Sequence, residues 1–355
     1  MHAVLIKSGR LRLVERPPGD LAPHEVRVEV ERSGICGTDL HLVDRPEAEG
    51  LTPGHEVAGT VVELGSAITG SPDLQVGSRV AVLPSPRCGS CGPCRRGEEQ
   101  MCTEQWQHAL GFGRAGGYAE SVTVPASSCF LLGEDTSFAQ GALADPYAVA
   151  LHGSSLAGLQ PGEACVVIGA GAIGLFVVAA LLAQGVTDVT VVEPAPARAE
   201  AALRLGAARA VASSEGLTEA TAPDVVAVLE CSGADGLVGE AIRIVRHGGT
   251  VVVLGVPPEG RTVDVAPRSW MRKEVRLVPS VWYRISDFAQ AVADIGAGAL
   301  DRFLDLPHGL EVRDLSEAPA CFEAGIVSAI KVQLDPRSSE RDGAAPRGAA
   351  AVVAS

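Results

Sequence analysis

Between residues 164 and 281 short apolar runs alternate with stretches of helical length, and this alternation restricts the fold more than any other feature of the chain. ACVVIG (164–169) reads as a strand and AIGLFVVAALLAQG (172–185) as a strongly apolar helix. DVTVVE (188–193) reads as the next strand and ARAEAALRLGA (197–207) as the next helix. ARAVAS, DVVAVLECSG, GLVGEAIRIVRHGG, TVVVLGV and VRLVPSV continue the series. Strands alternating with helices predict βαβ units and a parallel sheet. Their nearly unbroken apolar character predicts burial on both faces.

The turn between the first strand and helix of this series is GAGAIG (169–174), which fits G-x-G-x-x-G. Alone the pattern is weak, because glycine-rich turns are common. Here it follows a predicted strand and opens a predicted helix, and Glu193 ends the next strand 19 residues after Gly174. Gly169 permits the tight turn, Gly171 lets the backbone approach a pyrophosphate at the helix N-terminus, and Gly174 lets the helix pack against the sheet. Glu193 would accept hydrogen bonds from the ribose hydroxyls and repel a 2′-phosphate, which favours NAD over NADP. Arg198 lies nearby and softens that preference. Gly169, Gly171, Ile173, Gly174, Glu193 and Arg198 are the candidate cofactor-binding residues. The bland alternative is an ordinary βα turn with an exposed acid.

The 355 residues suit two domains rather than one. Up to about residue 150 the chain reads as short strands separated by Gly and Pro, for example HEVRVEVERSGI, EVAGTVVELG and YAESVTVP. After about residue 285 SDFAQAVADIGAGAL reads as helix and SAIKVQLDP as a closing strand. The segment 336–355, rich in Ala, Ser, Pro, Arg and Gly, predicts a disordered tail. MHAVLIKSGRLRLVERP does not read as a signal peptide, and the apolar run from Ile173 to Ala183 is about half of the roughly 20 residues a membrane span needs. The expectation is a cytoplasmic protein without membrane contact. In a reducing compartment clustered cysteines read as metal ligands rather than disulfides.

CGSCGPCRRGEEQMC (88–102) carries four of the nine cysteines with spacing C-x2-C-x2-C-x7-C. A reactive centre, a redox switch, a nucleic-acid finger and a structural clasp all use such clusters. The formal net charge of −14 counts against a finger, since nucleic-acid binding needs basic charge against phosphates. Four thiolates suit a closed tetrahedral zinc, which leaves no position for substrate. An iron–sulfur cluster competes, although the usual ferredoxin spacings differ. A second, dispersed grouping is GICGTDLH (34–41), PGHE (53–56) and ADPYAVALH (144–152). Cys36, His55 and one or both of Glu56 and Asp145 could make a mixed-ligand site with an open position, as a catalytic zinc requires. From spacing alone each of these is more often a packed or solvated residue.

Taken in order, GICGTDLH, PGHEVAGTVVELG, VGSRVAV, CGSCGPCRRGEEQMC, GGYAESVTVP and GAGAIG resemble the zinc-dependent medium-chain alcohol dehydrogenases, in the style of the sorbitol, polyol and threonine dehydrogenase branch. The resemblance spans residues 1 to about 335. It implies an α/β protein with a GroES-like, β-rich catalytic domain (1–150, returning at 285–335) and an inserted Rossmann domain with a doubly wound parallel sheet (151–284). It also implies that Cys36 and His55 are catalytic zinc ligands. Glu56 is a ligand in the polyol-like branch and lies just behind the ligands in others. Thr38 is the hydroxyl that meets the substrate alcohol, and His41 a later member of the proton relay. Cys88, Cys91, Cys94 and Cys102 hold a structural zinc. Asp145 stands where the branch usually carries Glu and the classical enzymes Cys; one methylene shorter, it either binds zinc directly or reaches it through water. The implied cofactors are NAD and two zinc ions per chain, one catalytic and one structural. The implied activity is hydride transfer between a small-molecule secondary alcohol or polyol and NAD, in a homodimer or homotetramer with no nucleic-acid partner.

Two other readings remain at this point. One is a non-catalytic relative that binds nucleotide, which would have no need of Cys36, Thr38, His41, His55, Glu56 and Asp145 together. The other is an NADPH-dependent carbonyl or enoyl reductase of the same fold, against which Glu193 and the four-cysteine lobe speak. Trp106, His108 and Phe112 lie just beyond the cysteine lobe, where such residues can line a substrate pocket but more often pack a loop. Cys231 reads as a small filler, His152 as helix packing and RRGEE (95–99) as a solvated loop.

Overall fold

A computed structural model describes residues 1–68, 74–217, 224–257, 260, 262–263, 265–324 and 329–337. The stretch 338–355, most of the segment read as a disordered tail, lies outside the described residues. Two sheets organise the rest. The first has six parallel strands in the spatial order 209–211, 189–192, 164–168, 225–230, 250–253, 276–279. In chain order that is 3-2-1-4-5-6, the doubly wound arrangement. Every residue of Val189–Val192 is buried, as are four of the five in Ala164–Ile168, which accounts for their unalternating apolar sequence.

The second sheet is built from both ends of the chain. Its central strand, Glu25–Gly34, pairs antiparallel with Glu56–Leu64 and with Ser121–Pro125. Arg79–Val82 and Cys129–Leu131 extend one side. On the other side Lys331–Asp335 pairs antiparallel with the central strand and parallel with Leu310–Asp314. The segment SAIKVQLDP is therefore a strand that stitches the C-terminal part into the N-terminal sheet. Gly59 permits close approach here: a Cβ on it would lie 2.0 Å from the Glu29 carbonyl oxygen.

Several helices of four to seven residues have no counterpart in the sequence pattern, and one of them shapes the site. Gly37–Leu42 begins at Cys36 and spans six residues, too few to show a helical period. The junction between the two halves is a packed core. Tyr147 on helix Ala144–Ala157 meets Phe176 of helix Ala172–Ala183, and Phe176 meets Phe303 with ring centroids 4.7 Å apart. These rings, with Phe288 of helix Ile285–Gly296, are fully buried in one continuous cluster. Among the described residues no helix is long and apolar enough to cross a membrane.

His152, on the first of these helices, is more than packing. Its Nδ1 lies 2.9 Å from Asp287 Oδ2 and joins helix Ala144–Ala157 to helix Ile285–Gly296. Burial pushes the Asp287 carboxyl up, but the His152 hydrogen bond and the Arg284 backbone N–H outweigh it and hold it below the usual carboxylate range. A carboxyl depressed by folding stabilises the protein above its unfolded pKa and loses that contribution as pH falls through the folded value. In Asp287→Asn the urea midpoint should therefore fall less steeply than in wild type as pH drops below about 4. Parallel slopes between pH 2 and 5 would show that the clasp carries no linkage.

Candidate functional site

Cys36 ends the bend after the central strand and caps helix Gly37–Leu42, with its backbone N–H donating to Asp39 Oδ2 at 3.0 Å. His55 and Glu56 arrive on the neighbouring strand, whose Glu56 pairs with Gly34. The pairing brings one ligand-type atom from each of Cys36, His55 and Glu56 within 4.8 Å of the others. His55 and Glu56 are buried, and Cys36 is half-buried.

The groups packed behind this trio are charged and buried. Asp39, fully buried, accepts from Tyr118 Oη at 2.7 Å and puts Oδ1 3.2 Å from His55 Nδ1, within ion-pair distance but without good hydrogen-bond angles. Burial pulls the His55 imidazole down, but Asp39 and Cys36 raise it well above the usual histidine range. The same contacts keep Asp39 below the usual carboxylate range despite its burial. With Nδ1 turned to Asp39, Nε2 is the free ring nitrogen, and a carboxylate behind a ligating histidine fixes ring orientation in this way.

Glu56 accepts at Oε1 from Lys331 Nζ at 2.5 Å, and that ammonium also donates to the Ile35 carbonyl at 2.9 Å. Burial pushes the Glu56 carboxyl up against the pull of Lys331. Burial opposes the Lys331 ammonium, yet Glu56 and Cys36 hold it above its usual value. Glu56 Oε2 is buried with no partner among the described residues, as is Thr38 Oγ1. Buried polar atoms without partners are expensive, and an oxygen orphaned beside a thiol and an imidazole fits a cation in that space. Gly34 makes the approach possible, since a Cβ there would fall on the Glu56 carboxylate.

Asp145 stands beside the trio rather than within it. Its Oδ2 is 4.0 Å from His55 Nε2, and its Oδ1 accepts from Tyr283 Oη. Burial raises its pKa. His41 lies exposed in the last turn of helix Gly37–Leu42.

The other four cysteines form a separate group, again with ligand atoms within 4.8 Å. Cys91 precedes helix Gly92–Arg95, which carries Cys94, and its N–H donates to Cys88 Sγ at 3.3 Å. Backbone N–H groups of Cys94 and Thr103 draw the Cys91 thiol down to about 6, whereas burial and its neighbours push Cys94 up to about 12. Four thiols so close cannot all ionise without a cation between them, which fits a closed metal site. This lobe is tied to the first site. Arg87 donates to Gln105 Oε1 at 2.8 Å and to the Tyr283 carbonyl at 2.9 Å, and Tyr283 in turn holds Asp145.

In the glycine turn Gly169 has φ +93°, a region that favours glycine, and a Cβ on Gly174 would lie 1.9 Å from the Gly169 carbonyl oxygen. Gly171 faces open space, the room a pyrophosphate would need. Ile173 is half-buried behind it. Glu193 is buried, with Oε2 accepting from Ala170 N–H at 2.8 Å and Oε1 from Ala195 N–H at 2.9 Å. The acid therefore braces the turn itself. Arg198 is exposed on helix Pro196–Leu205.

The sequence reading overlooked four residues. Asp39 was inside a quoted motif, two places before His41. Lys331 carries little signal: KVQLD alternates polar and apolar residues as a half-exposed strand would, yet all five are buried. Trp282 and Tyr283 carried none. Trp106 and Phe112 pack with Trp282, and Phe112 lies against the His55 ring.

Residues 22–134 match the family described as alcohol dehydrogenase GroES-like domain, and residues 172–297 the family described as zinc-binding dehydrogenase. D-altritol 5-dehydrogenase of Agrobacterium fabrum is 33% identical over 79% of this chain and 84% of its own. L-threonine 3-dehydrogenase of Pectobacterium carotovorum is 29% identical over 82% of this chain and 88% of its own. Among solved structures, a zinc-binding dehydrogenase of Sinorhizobium meliloti with NADP bound is 30% identical, with TM-score 0.86 over 94% of this chain and 99% of that one.

Lys331→Met should destabilise the protein by about 3–5 kcal/mol in urea unfolding, because it leaves a buried carboxylate without its cation. Adding Glu56→Gln should recover part of that loss. Equal stability of wild type and Lys331→Met would mean that the pair is not closed to water.

Proposed function

This chain belongs to the zinc-dependent alcohol dehydrogenase family, in its polyol and threonine dehydrogenase branch, and on that premise we propose that it passes hydride from a secondary alcohol or polyol to NAD at the site of Cys36, His55 and Glu56. The observation that carries this reading is the convergence of a thiol, an imidazole and a carboxylate within 4.8 Å, with Glu56 Oε2 and Thr38 Oγ1 both buried and unpartnered. Bound zinc supplies Lewis acidity toward the substrate hydroxyl, and the nicotinamide supplies the hydride acceptor.

The chain's own residues do the rest. Cys36, His55 and one oxygen of Glu56 are three protein ligands, the number that leaves a zinc position open for substrate. Asp145, at 4.0 Å from His55 Nε2, is placed to add an oxygen directly or through water. Asp39, with Oδ1 3.2 Å from His55 Nδ1, would leave Nε2 as the ring nitrogen available to a metal. Thr38 Oγ1 takes the proton of the substrate hydroxyl, and exposed His41, three residues further along the same helix, passes it to solvent. Lys331 offsets the carboxylate charge of Glu56 and sets how much of it the metal meets. Cys88, Cys91, Cys94 and Cys102 close a second zinc and leave it structural.

At the cofactor turn, Gly169, Gly171, Ile173 and Gly174 cradle the pyrophosphate. The buried negative charge of Glu193 disfavours a 2′-phosphate, so NAD is preferred to NADP, with Arg198 the residue that would soften the preference. The same reading divides the chain into a catalytic part, 1–150 and 285–335, and an inserted nucleotide-binding part, 151–284. The two separate sheets support that division.

Metal analysis should find about two zinc ions per chain, and about one after either Cys36→Ser or Cys94→Ser. Only Cys36→Ser should abolish alcohol-dependent NAD reduction while leaving the urea midpoint near wild type. One zinc per chain that survives Cys36→Ser would overturn the assignment, and a higher kcat/KM with NADP would overturn the role given to Glu193.

A further inference from the structure

Three aromatic rings from two distant segments of the chain meet beside the trio. Phe112 lies against the His55 ring with centroids 5.1 Å apart. Trp106 meets Phe112 edge-on at 5.3 Å and Trp282 at 5.0 Å, and Phe112 and Trp282 stand 6.2 Å apart. These are the separations of interacting aromatic pairs. Trp106 remains 52% exposed, so the wall runs from a ligand-type histidine out to solvent.

The wall is held in place by its setting. Trp282 has φ +51°, uncommon for a bulky residue and found where surroundings over-determine the backbone. The next residue, Tyr283, is fixed at its carbonyl by Arg87 and at its hydroxyl by Asp145. Arg87 also places its guanidinium 5.8 Å from the Trp282 ring centroid. Its Nη atoms are already committed to Ser85, Gln105 and Tyr283. The lobe reinforces the same segment, since Glu99 Oε1 accepts from Ile285 N–H at 3.3 Å. Trp282 Nε1 is itself buried with no partner among the described residues, so ring contacts rather than a hydrogen bond set its position.

We propose that Trp106, Phe112 and Trp282 are the specificity-determining wall of the cleft, and that they select a secondary alcohol whose carbinol carbon bears an aromatic ring or similar flat apolar group over an open-chain polyol. This rests on the assignment of Cys36, His55 and Glu56 as the reaction site. Trp282 Nε1, unpartnered among the described residues, can donate to one substrate hydroxyl, but the further hydroxyls of a polyol laid along three rings would be buried without partners, which costs binding, while an aryl group there replaces water with ring contacts. Phe112 touches His55, so the selected group sits next to the carbinol and not at the far end of the substrate.

The test compares 1-phenylethanol, 2-propanol and xylitol. Wild type should give kcat/KM at least tenfold higher for 1-phenylethanol than for xylitol, about 1.4 kcal/mol. Trp282→Ala should lower the 1-phenylethanol value about tenfold and leave 2-propanol within about threefold. Trp282→Phe should retain most of the preference. Trp106→Ala, at a half-exposed site that tolerates truncation, should reduce the preference if Trp282→Ala does not fold. A preference for xylitol, or equal losses on all three alcohols in Trp282→Ala, overturns the proposal. Binding without cofactor separates this from failure of the underlying site. Two of the three tryptophans are in the wall, so 1-phenylethanol should change tryptophan emission at lower concentration than xylitol even if no alcohol is turned over. The same concentration dependence for both alcohols also overturns the proposal.

Discussion

A single buried ion pair ties the two ends of this chain to its chemistry. Glu56 and Lys331 are 275 residues apart in sequence, yet their side chains meet at 2.5 Å in a space closed to water. Such a pair is weak evidence for stability, because removing both charges from water offsets much of their attraction. Its value here is positional. The ammonium reaches Glu56 only if strand Lys331–Asp335 lies beside Glu25–Gly34, and that sheet in turn sets Cys36 and His55. A strand misplaced by one residue would turn the lysine to the other face and leave a bare carboxylate in the interior.

From that pair the rest of the site follows as a series of oriented groups. Asp39 turns His55, Tyr118 and the Cys36 N–H hold Asp39, and Tyr283 holds Asp145. The four-cysteine lobe is part of the same framework. Arg87, one residue before Cys88, reaches the Tyr283 carbonyl. A lobe that does no chemistry therefore bears on the chemistry, through the segment that carries Trp282 and Tyr283. A bound metal in that lobe would fix Arg87, and Arg87 fixes the wall of the cleft.

The nucleotide part shows how far local rules reach. The order of its six strands and the positions of Gly169 and Gly174 agree with the periodicity and the G-x-G-x-x-G pattern. Glu193 differs in one respect: both its oxygens already accept backbone N–H groups, one of them from the glycine turn. Read from sequence it is a group awaiting a ribose; in the fold it also supports the loop that would hold the pyrophosphate.

Sequence alone determined the parallel sheet, the glycine turn, the cysteine lobe and the identity of Cys36, His55 and Glu56 as a candidate site. The sheet, the turn and the lobe lie in residue types repeating every two to four positions or in motifs whose members are neighbours in the chain, whereas Cys36, His55 and Glu56 stand out only through the resemblance of the motifs that carry them. Only the tertiary structure decided which partners complete the site. Lys331, Tyr283 and Trp282 join it across separations such as 275 and 138 residues, over which no local period operates. It also set Phe112 against the His55 ring and Trp106 against Phe112 and Trp282. Burial and contact between distant segments, which composition and spacing do not encode, set that outcome.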